Sequence, residues 1–217
     1  MGSILGASLG LLAFMLAFTF GMAGNIHDSR KQMILKEANA VGTLYLRAQL
    51  IHQPETDNIR QLLKEYVNVR IRKEQFKVED NLKKAIKRSE ELLEEMWQQC
   101  ARLIRNDPKN SLINTLIIRS MNQVIDIHAE RIAKAIYNRI PGSIRYTLLS
   151  VAILTMGMMG YHAGISRTRT LVARSGIILA ITLVMLLIID LDRPGEGLIE
   201  INQQAMTDLQ LKMEKKF

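Results

Sequence analysis

The sequence predicts an all-α membrane protein. Three transmembrane helices are expected, with a long helical insert between the first and the second that stacks on the membrane bundle. Apolar residues make up 48% of the 217 residues, close to the average for soluble proteins, but they concentrate in three blocks. Each block approaches the roughly 20 apolar residues that cross a bilayer as a helix. Between the blocks the apolar residues recur at helical spacing, and no segment alternates convincingly like a strand.

The first block, Gly2 to Gly24, has no charged side chain in 23 residues. Five small residues recur on it at spacings of 4, 3, 4 and 4, which places them on one side of a helix where a second helix can approach closely. This small-residue stripe consists of Gly6, Gly10, Ala13, Ala17 and Gly21. Phe14 and Phe18, four residues apart, lie elsewhere on the helix. They either contact lipid or the protein core, or they form a hydrophobic constriction in a pore.

The second and third blocks, Tyr146–Ile165 and Ser175–Leu191, are separated by a short link and predict an antiparallel transmembrane hairpin. Glycines at 157, 160 and 164 mark a close-packing face on the second helix. His162 lies near the end of that helix, where a histidine is more often packed or interfacial than a proton relay.

The insert continues from the first transmembrane helix, since no turn signal appears before Pro54. Further breaks are expected at Pro108 and at Pro141-Gly142, with a bend near residues 78–81, which leaves three or four packed helices. We therefore assign residues 1–24 to the first transmembrane helix and 25–143 to a helical cytoplasmic insert. Residues 144–192 form the transmembrane hairpin, and 193–217 form a C-terminal tail.

The formal net charge is +8, and residues 25–143 hold 21 Lys+Arg against 15 Asp+Glu. In a membrane protein such an excess first indicates orientation and contact with anionic headgroups. Most basic residues near the membrane lie on the insert side, which favours a cytoplasmic insert and tail, although Arg167, Arg169 and Arg174 of the hairpin loop argue the other way. We find no zinc spacing or recognition helix for nucleic acid. We expect localisation in the cell membrane.

The sequence carries no nucleophile motif, phosphate loop or metal-binding helix, so we expect neither an enzyme nor a bound cofactor or metal. Cys100 lies in a charged helical pattern and is expected to be structural.

The third block ends abruptly on Asp190 and Asp192, followed by Arg193, Pro194 and Gly195. A helix stop at the headgroups explains one charge. Two acids at a helix C-terminus oppose the macrodipole, however, and require a compensating partner. Asp190, Asp192 and Arg193 form what we call the junction charge cluster. The candidate partners of the two acids are Arg193, Arg145, Arg139 or a bound cation.

Four polar residues on one helical segment form two pairs. Asp126 and Glu130 share one helix face, and His128 and Arg131 share another. A metal bound by Asp126 and His128 would need a distorted helix, so packing and ion pairing are expected instead. Glu37 and Asn39, just past the first transmembrane helix, have no evident partner in the sequence.

Three stretches resemble the bacterial membrane proteins that carry a bestrophin-like domain: "RSEELLEEMW", "NQVIDIHAERIAKAIYNRIP" and, most specifically, "LIIDLDRPGEGLIEINQQAMTDL". Members of that family usually show two membrane helices, a cytoplasmic helical region and two more helices. This chain shows one helix before its insert, so either a further N-terminal helix precedes the sequence or it is a shorter variant. The resemblance implies kinship with bestrophins, which are pentameric anion channels.

Two functions follow from these patterns. The first is an oligomeric, bestrophin-like channel for inorganic anions, a pentamer by family analogy, with its constriction at Phe14 and Phe18 and an anion funnel at Arg30 and Lys31. The alternative is a non-conducting membrane scaffold or signalling adaptor, whose insert binds a cytoplasmic partner. Self-association distinguishes them, because three helices cannot enclose a selective path alone.

Overall fold

The computed structural model describes residues 2–51, 55–71, 79–106, 111–166, 171–193, 199 and 201–215. Within these ranges the chain forms seven helices and no strand. They are α1 (Gly2–Ala48), α2 (Glu55–Ile71), α3 (Glu79–Asn106), α4 (Ser111–Ile136), α5 (Gly142–Ser166), α6 (Leu171–Asp192) and α7 (Gln204–Glu214). The all-helical prediction is confirmed. The breaks predicted at Pro54, Pro108 and Pro194 lie outside the described residues.

The helix α1 runs without interruption for 47 residues, about 70 Å at 1.5 Å per residue. Its first part is the apolar block predicted to span the membrane, and its second part carries the charged residues of the insert. The chain divides into two compact units, and the division falls within α1. Unit 1 comprises residues 1–28 and 138–199, and unit 2 comprises 29–137 and 200–217.

Three helices of the described residues are long and apolar enough to cross a membrane. They are α1 and the two segments Gly142–Ile165 and Val172–Asp192, as the sequence predicted. One face of α1 packs on α5 and α6 through side chains at three- and four-residue spacing, the period that keeps them on one side of a helix. The buried residues of this contact are Leu12, Leu16, Ala23 and Ile26 from α1 with Leu148, Ala152, Ile181 and Ile188 from the hairpin.

Unit 2 has its own core, formed by the second part of α1 with α2, α3, α4 and α7. Leu44 and Tyr45 of α1 contribute to it, with Leu63 of α2, Met96 of α3 and Met121 of α4, all at most 2% exposed. The amphipathic stretch, for which the sequence predicted a bend near residues 78–81, contains two helices among its described residues, α2 and α3, which pack on each other.

The C-terminal helix α7 lies on unit 2 and contributes the buried residues Met206 and Met213. The Tyr45 hydroxyl donates a hydrogen bond to the Met213 carbonyl oxygen at 3.3 Å. Gly42 gives Leu209 room to approach, since a Cβ at position 42 would stand 3.2 Å from the Leu209 side chain. The last helix is therefore part of the core of unit 2.

Candidate functional site

The exposed face of the first transmembrane helix carries every residue proposed from sequence to line a pore or an assembly contact. Phe14 is 69% exposed and Phe18 is 61% exposed, because α1 packs on α5 and α6 through its opposite face. All five residues of the small-residue stripe are also exposed, and a Cβ added at Gly6, Gly10 or Gly21 would meet no atom within 4 Å. Within the single chain this face of α1 has no protein partner among the described residues.

Asp192, at the end of α6, is 4% exposed and accepts a hydrogen bond from the Ile140 backbone N–H at 2.8 Å. The Arg145 guanidinium lies 3.9 Å from the same carboxylate. The antiparallel hairpin brings the C-terminus of α6 beside the N-terminus of α5, which carries partial positive charge. The negative charge of Asp192 is therefore stabilised by groups at the start of α5, whereas the C-terminus of its own helix disfavours a negative charge.

The other residues singled out near the membrane differ in exposure. Asp190 accepts a hydrogen bond from the Ile199 backbone N–H at 2.9 Å, while Arg193 is exposed. Of the two proposed funnel residues, Lys31 is exposed but Arg30 is 5% exposed. Lys31 is therefore the member of this pair that can meet a solvated ion directly.

A buried group of polar side chains lies inside unit 2 and centres on Glu37 of α1, whose side chain is 0% exposed. Its carboxylate pairs with Arg131 of α4 and lies 3.1 Å from the Nε of Arg70 on α2. The Tyr66 hydroxyl lies 2.5 Å from Glu37 Oε1 and 2.8 Å from Nδ1 of His128. We call these five residues the Glu37 cluster.

The hydrogen bonds of the Glu37 cluster show that Nδ1 of His128 carries a hydrogen. The Tyr66 hydroxyl has one hydrogen, and the ionised Glu37 carboxylate can only accept, so Tyr66 donates to Glu37. The Tyr66 oxygen must then accept from His128, which places the imidazole hydrogen on Nδ1. His128 Nε2 is buried and has no hydrogen-bond partner among the described residues.

The two guanidinium groups hold the carboxylate in its charged form. Burial alone would raise the pKa of Glu37, but the positive charges of Arg70 and Arg131, with the hydrogen bond from Tyr66, hold that pKa well below its ordinary value. Burial and the Glu37 charge raise the pKa of Tyr66, which keeps its hydroxyl protonated. The pKa of Arg131 is lowered, first by burial and then by the positive charge of Arg70. Positive charge is therefore in excess in the cluster.

Sequence reasoning brought together two of the five residues of this cluster. It placed His128 and Arg131 on one face of α4, and the structure shows both side chains at Glu37. It assigned no partner to Glu37 and did not single out Tyr66 or Arg70. A signal was present, because three polar members stand three or four residues from a core position, at the spacing of an apolar residue: Glu37 with Ile34 and Val41, Arg70 with Tyr66 and Val67, and His128 with Val124.

Asp126 and Glu130 lie on the other side of α4, in an open polar groove beside α1 with a volume of about 600 Å³. Lys36, Asn39, Arg119, Asn122, Gln123 and Ile127 complete its lining. Glu130 also pairs with Lys134 at 2.8 Å. Charges of both signs and three carboxamides meet in this groove, so it is suited to a polar partner and carries no metal-ligand cluster among the described residues.

Cys100 is fully buried in the core of unit 2, and burial raises the pKa of its thiol to about 11. Such a thiol is largely protonated near neutral pH and reacts slowly.

Comparison with known proteins gives one result that covers nearly the whole chain. A sequence model of the bestrophin-like domain matches residues 2–206. No curated protein and no solved structure is significantly similar to the chain.

Proposed function

Since the chain belongs to the bestrophin-like domain family, we propose that it is an oligomeric ion channel that conducts inorganic anions. Its three apolar helices and this family membership make it a membrane protein. We infer its conduction, anion selectivity and assembly from the arrangement of its side chains.

The observation that carries the proposal is the unpartnered face of α1. The helix buries one face against the hairpin and leaves Phe14, Phe18 and the small-residue stripe exposed. Three spans per chain cannot enclose a path, so conduction requires several copies around an axis. The small-residue stripe offers a surface for close helix contact, and the phenylalanines offer an apolar constriction that gates by wetting and dewetting.

Anion preference is supported by the distribution of charge. The part of α1 from Gly2 to Gly24 offers no charged side chain to bind an ion. Selectivity must then come from the flanks, where the basic insert raises the local concentration of anions. Asp192, which would oppose this field, is buried and compensated by the Ile140 N–H and Arg145.

The cellular setting is also part of the proposal. We place the protein in the cell membrane with the insert and the C-terminal tail in the cytoplasm, supported by the excess of Lys and Arg beside the membrane. The helix α1 continues unbroken from Gly2 to Ala48, from the apolar block into the insert. The partners are the bilayer, further copies of the chain and inorganic anions, and the protein is not an enzyme.

The second candidate is a non-conducting scaffold or adaptor, and the polar groove beside α1 and α4 favours it. The groove presents Lys36 and Arg119 together with Asp126 and Glu130, a mixture that suits a cytoplasmic protein partner. This function needs no conduction and no oligomer.

One experiment separates the two functions. The purified protein is weighed in detergent by mass photometry, imaged for rotational symmetry and reconstituted into liposomes loaded with chloride. The channel predicts a symmetric oligomer and chloride efflux above that of empty liposomes. A monomer, or an oligomer with no flux of chloride, nitrate or potassium, overturns the channel and leaves the scaffold.

A further inference from the structure

The Glu37 cluster buries more positive than negative charge. Arg70 and Arg131 each carry a permanent positive charge, and the Arg side chains are 4% and 11% exposed. Glu37 supplies one negative charge, and no other carboxylate of the described residues pairs with these two guanidinium groups. The balance is one unit of positive charge in a region that solvates charge poorly. A buried charge without a partner is costly.

The cluster also contains more hydrogen-bond donors than acceptors. Each guanidinium has five N–H groups, whereas a carboxylate has about four acceptor positions, of which Tyr66 already uses one. Arg70 Nε lies close to Glu37, yet its N–H makes no hydrogen bond with any described residue. The cluster thus lacks the acceptors that its donors require.

Gln203 supplies one of the missing hydrogen-bond acceptors and indicates where a solute can reach the Glu37 cluster. Arg131 donates to the Gln203 side-chain oxygen at 3.4 Å, a long and weak hydrogen bond. The Arg131 side chain is more exposed than that of Arg70. Gln203 directly precedes α7. The guanidinium of Arg131 is therefore the point at which a solute can approach the buried charge.

From the charge balance and the unsatisfied donors we propose that the Glu37 cluster binds one small monovalent inorganic anion beside Arg70 and Arg131. The anion supplies the missing negative charge and accepts hydrogen bonds from the guanidinium groups. A monovalent ion matches the net charge of the cluster, whereas phosphate would reverse it. The burial of the side chains excludes bulky organic anions such as gluconate.

This inference does not rest on the proposed channel function, because the cluster lies wholly in unit 2 and involves no transmembrane segment. A protein that conducts nothing would still bind the ion. Binding would hold α1, α2 and α4 together, since each contributes a charged member of the cluster. Anion concentration would then set the stability of unit 2.

The test is thermal unfolding of the full-length protein in detergent, followed by tryptophan fluorescence of Trp97, which packs against the core of unit 2. Chloride is titrated against gluconate at constant ionic strength, so that screening stays the same. A ligand that binds only the folded state raises the unfolding temperature as its concentration passes its Kd. We expect a saturable rise with chloride that gluconate does not give. Equal curves for the two salts overturn the proposal.

Charge variants identify the cluster as the site. Arg131→Gln makes the cluster neutral and should abolish the chloride response. Glu37→Gln raises the net charge by one and should tighten chloride binding roughly tenfold or more. The double variant Glu37→Gln with Arg131→Gln regains the wild-type charge and should regain a response. Arg88→Gln, in the exposed network with Glu65, Glu91 and Glu95, is the matched control and should behave as wild type.

The proposal stays falsifiable if Arg131→Gln fails to fold. Glu37→Gln alone then decides, because it keeps both guanidinium groups. A chloride midpoint unchanged or weaker in Glu37→Gln contradicts anion binding at this cluster, as does a full chloride response in a folded Arg131→Gln protein.

Discussion

Glu37 makes the stability of unit 2 depend on pH. Its carboxyl titrates near 4.5 when unfolded, and its pKa in the folded protein lies well below that value. A depressed pKa means that the stabilisation is fully present above about pH 4.5 and is lost as pH falls towards the folded pKa. We expect the free energy of unfolding to fall by up to about 1.4 kcal/mol per pH unit in this window.

Urea unfolding at several pH values between 6 and 3 measures this slope. Glu37→Gln should remove this component, so its curve should be flatter than that of the wild type. Glu90→Gln is the control, because Glu90 is exposed on α3 and lies outside the Glu37 cluster. Parallel curves for the wild type and Glu37→Gln would contradict the prediction.

The Tyr66 hydroxyl makes hydrogen bonds with both Glu37 and His128, so its removal should affect both residues. Tyr66→Phe leaves the Nδ1–H of His128 and one oxygen of Glu37 without their hydrogen bonds. We expect a loss of about 1–3 kcal/mol in the free energy of unfolding. Tyr137→Phe, at a position 82% exposed, is the control and should change little. A Tyr66→Phe protein as stable as the control would show that the bridge is unimportant.

The cluster also marks the limit of sequence reasoning at this scale. Glu37 meets Tyr66, Arg70 and Arg131 across separations of 29, 33 and 94 residues. Helical spacing relates residues within one helix, as it did for His128 and Arg131. It cannot state which helices pack together, and the partners of Glu37 depend on that packing.

At the scale of the helix, the exposed side chains of Phe14 and Phe18 on α1 allow a test of the proposed apolar constriction. Replacing Phe14 and Phe18 together with alanine should widen an apolar constriction and raise single-channel conductance in a reconstituted bilayer. The matched control is Leu179→Ala with Leu183→Ala, an exposed apolar pair with the same spacing on α6. An increase in both double variants, or in neither, would remove these phenylalanines from the conduction path.

Helices were predicted more completely than contacts. The three membrane helices follow from apolar length, which is a local property of the sequence, and α1 was expected to continue into the insert. The division between α2 and α3 was predicted only as a bend near residues 78–81, because the amphipathic pattern is continuous from one helix to the other. The environment of Asp192 was predicted in part. The helix macrodipole implied that its carboxylate needs a partner, but the Ile140 N–H was identified only from the geometry of the hairpin.

At the scale of the whole molecule, the small-residue stripe predicts assembly through α1. Gly10→Leu with Ala17→Leu fills a surface that is open in the single chain, and should reduce the oligomer mass measured in detergent. The control is Ala173→Leu with Ala180→Leu on α6, an exposed pair with the same seven-residue spacing. An unchanged mass in the double variant would exclude the stripe as an assembly surface.

Orientation is testable with a cysteine placed on the exposed side of α3. Cys100 itself is a poor reporter, because it is buried and the pKa of its thiol is raised to about 11. In a Cys100→Ala background, Glu94→Cys should resist a membrane-impermeant maleimide in intact cells and react after lysis. Labelling in intact cells would reverse the proposed topology.

The separation of the cluster along the chain has a consequence for how the protein is made. Arg131 is 94 residues behind Glu37, so at about 5–20 residues per second it leaves the ribosome roughly 5–20 s later. During this interval Arg70 is the only guanidinium of the cluster that Glu37 can meet. The charge pairing of Glu37 is therefore completed only after α4 has been synthesised.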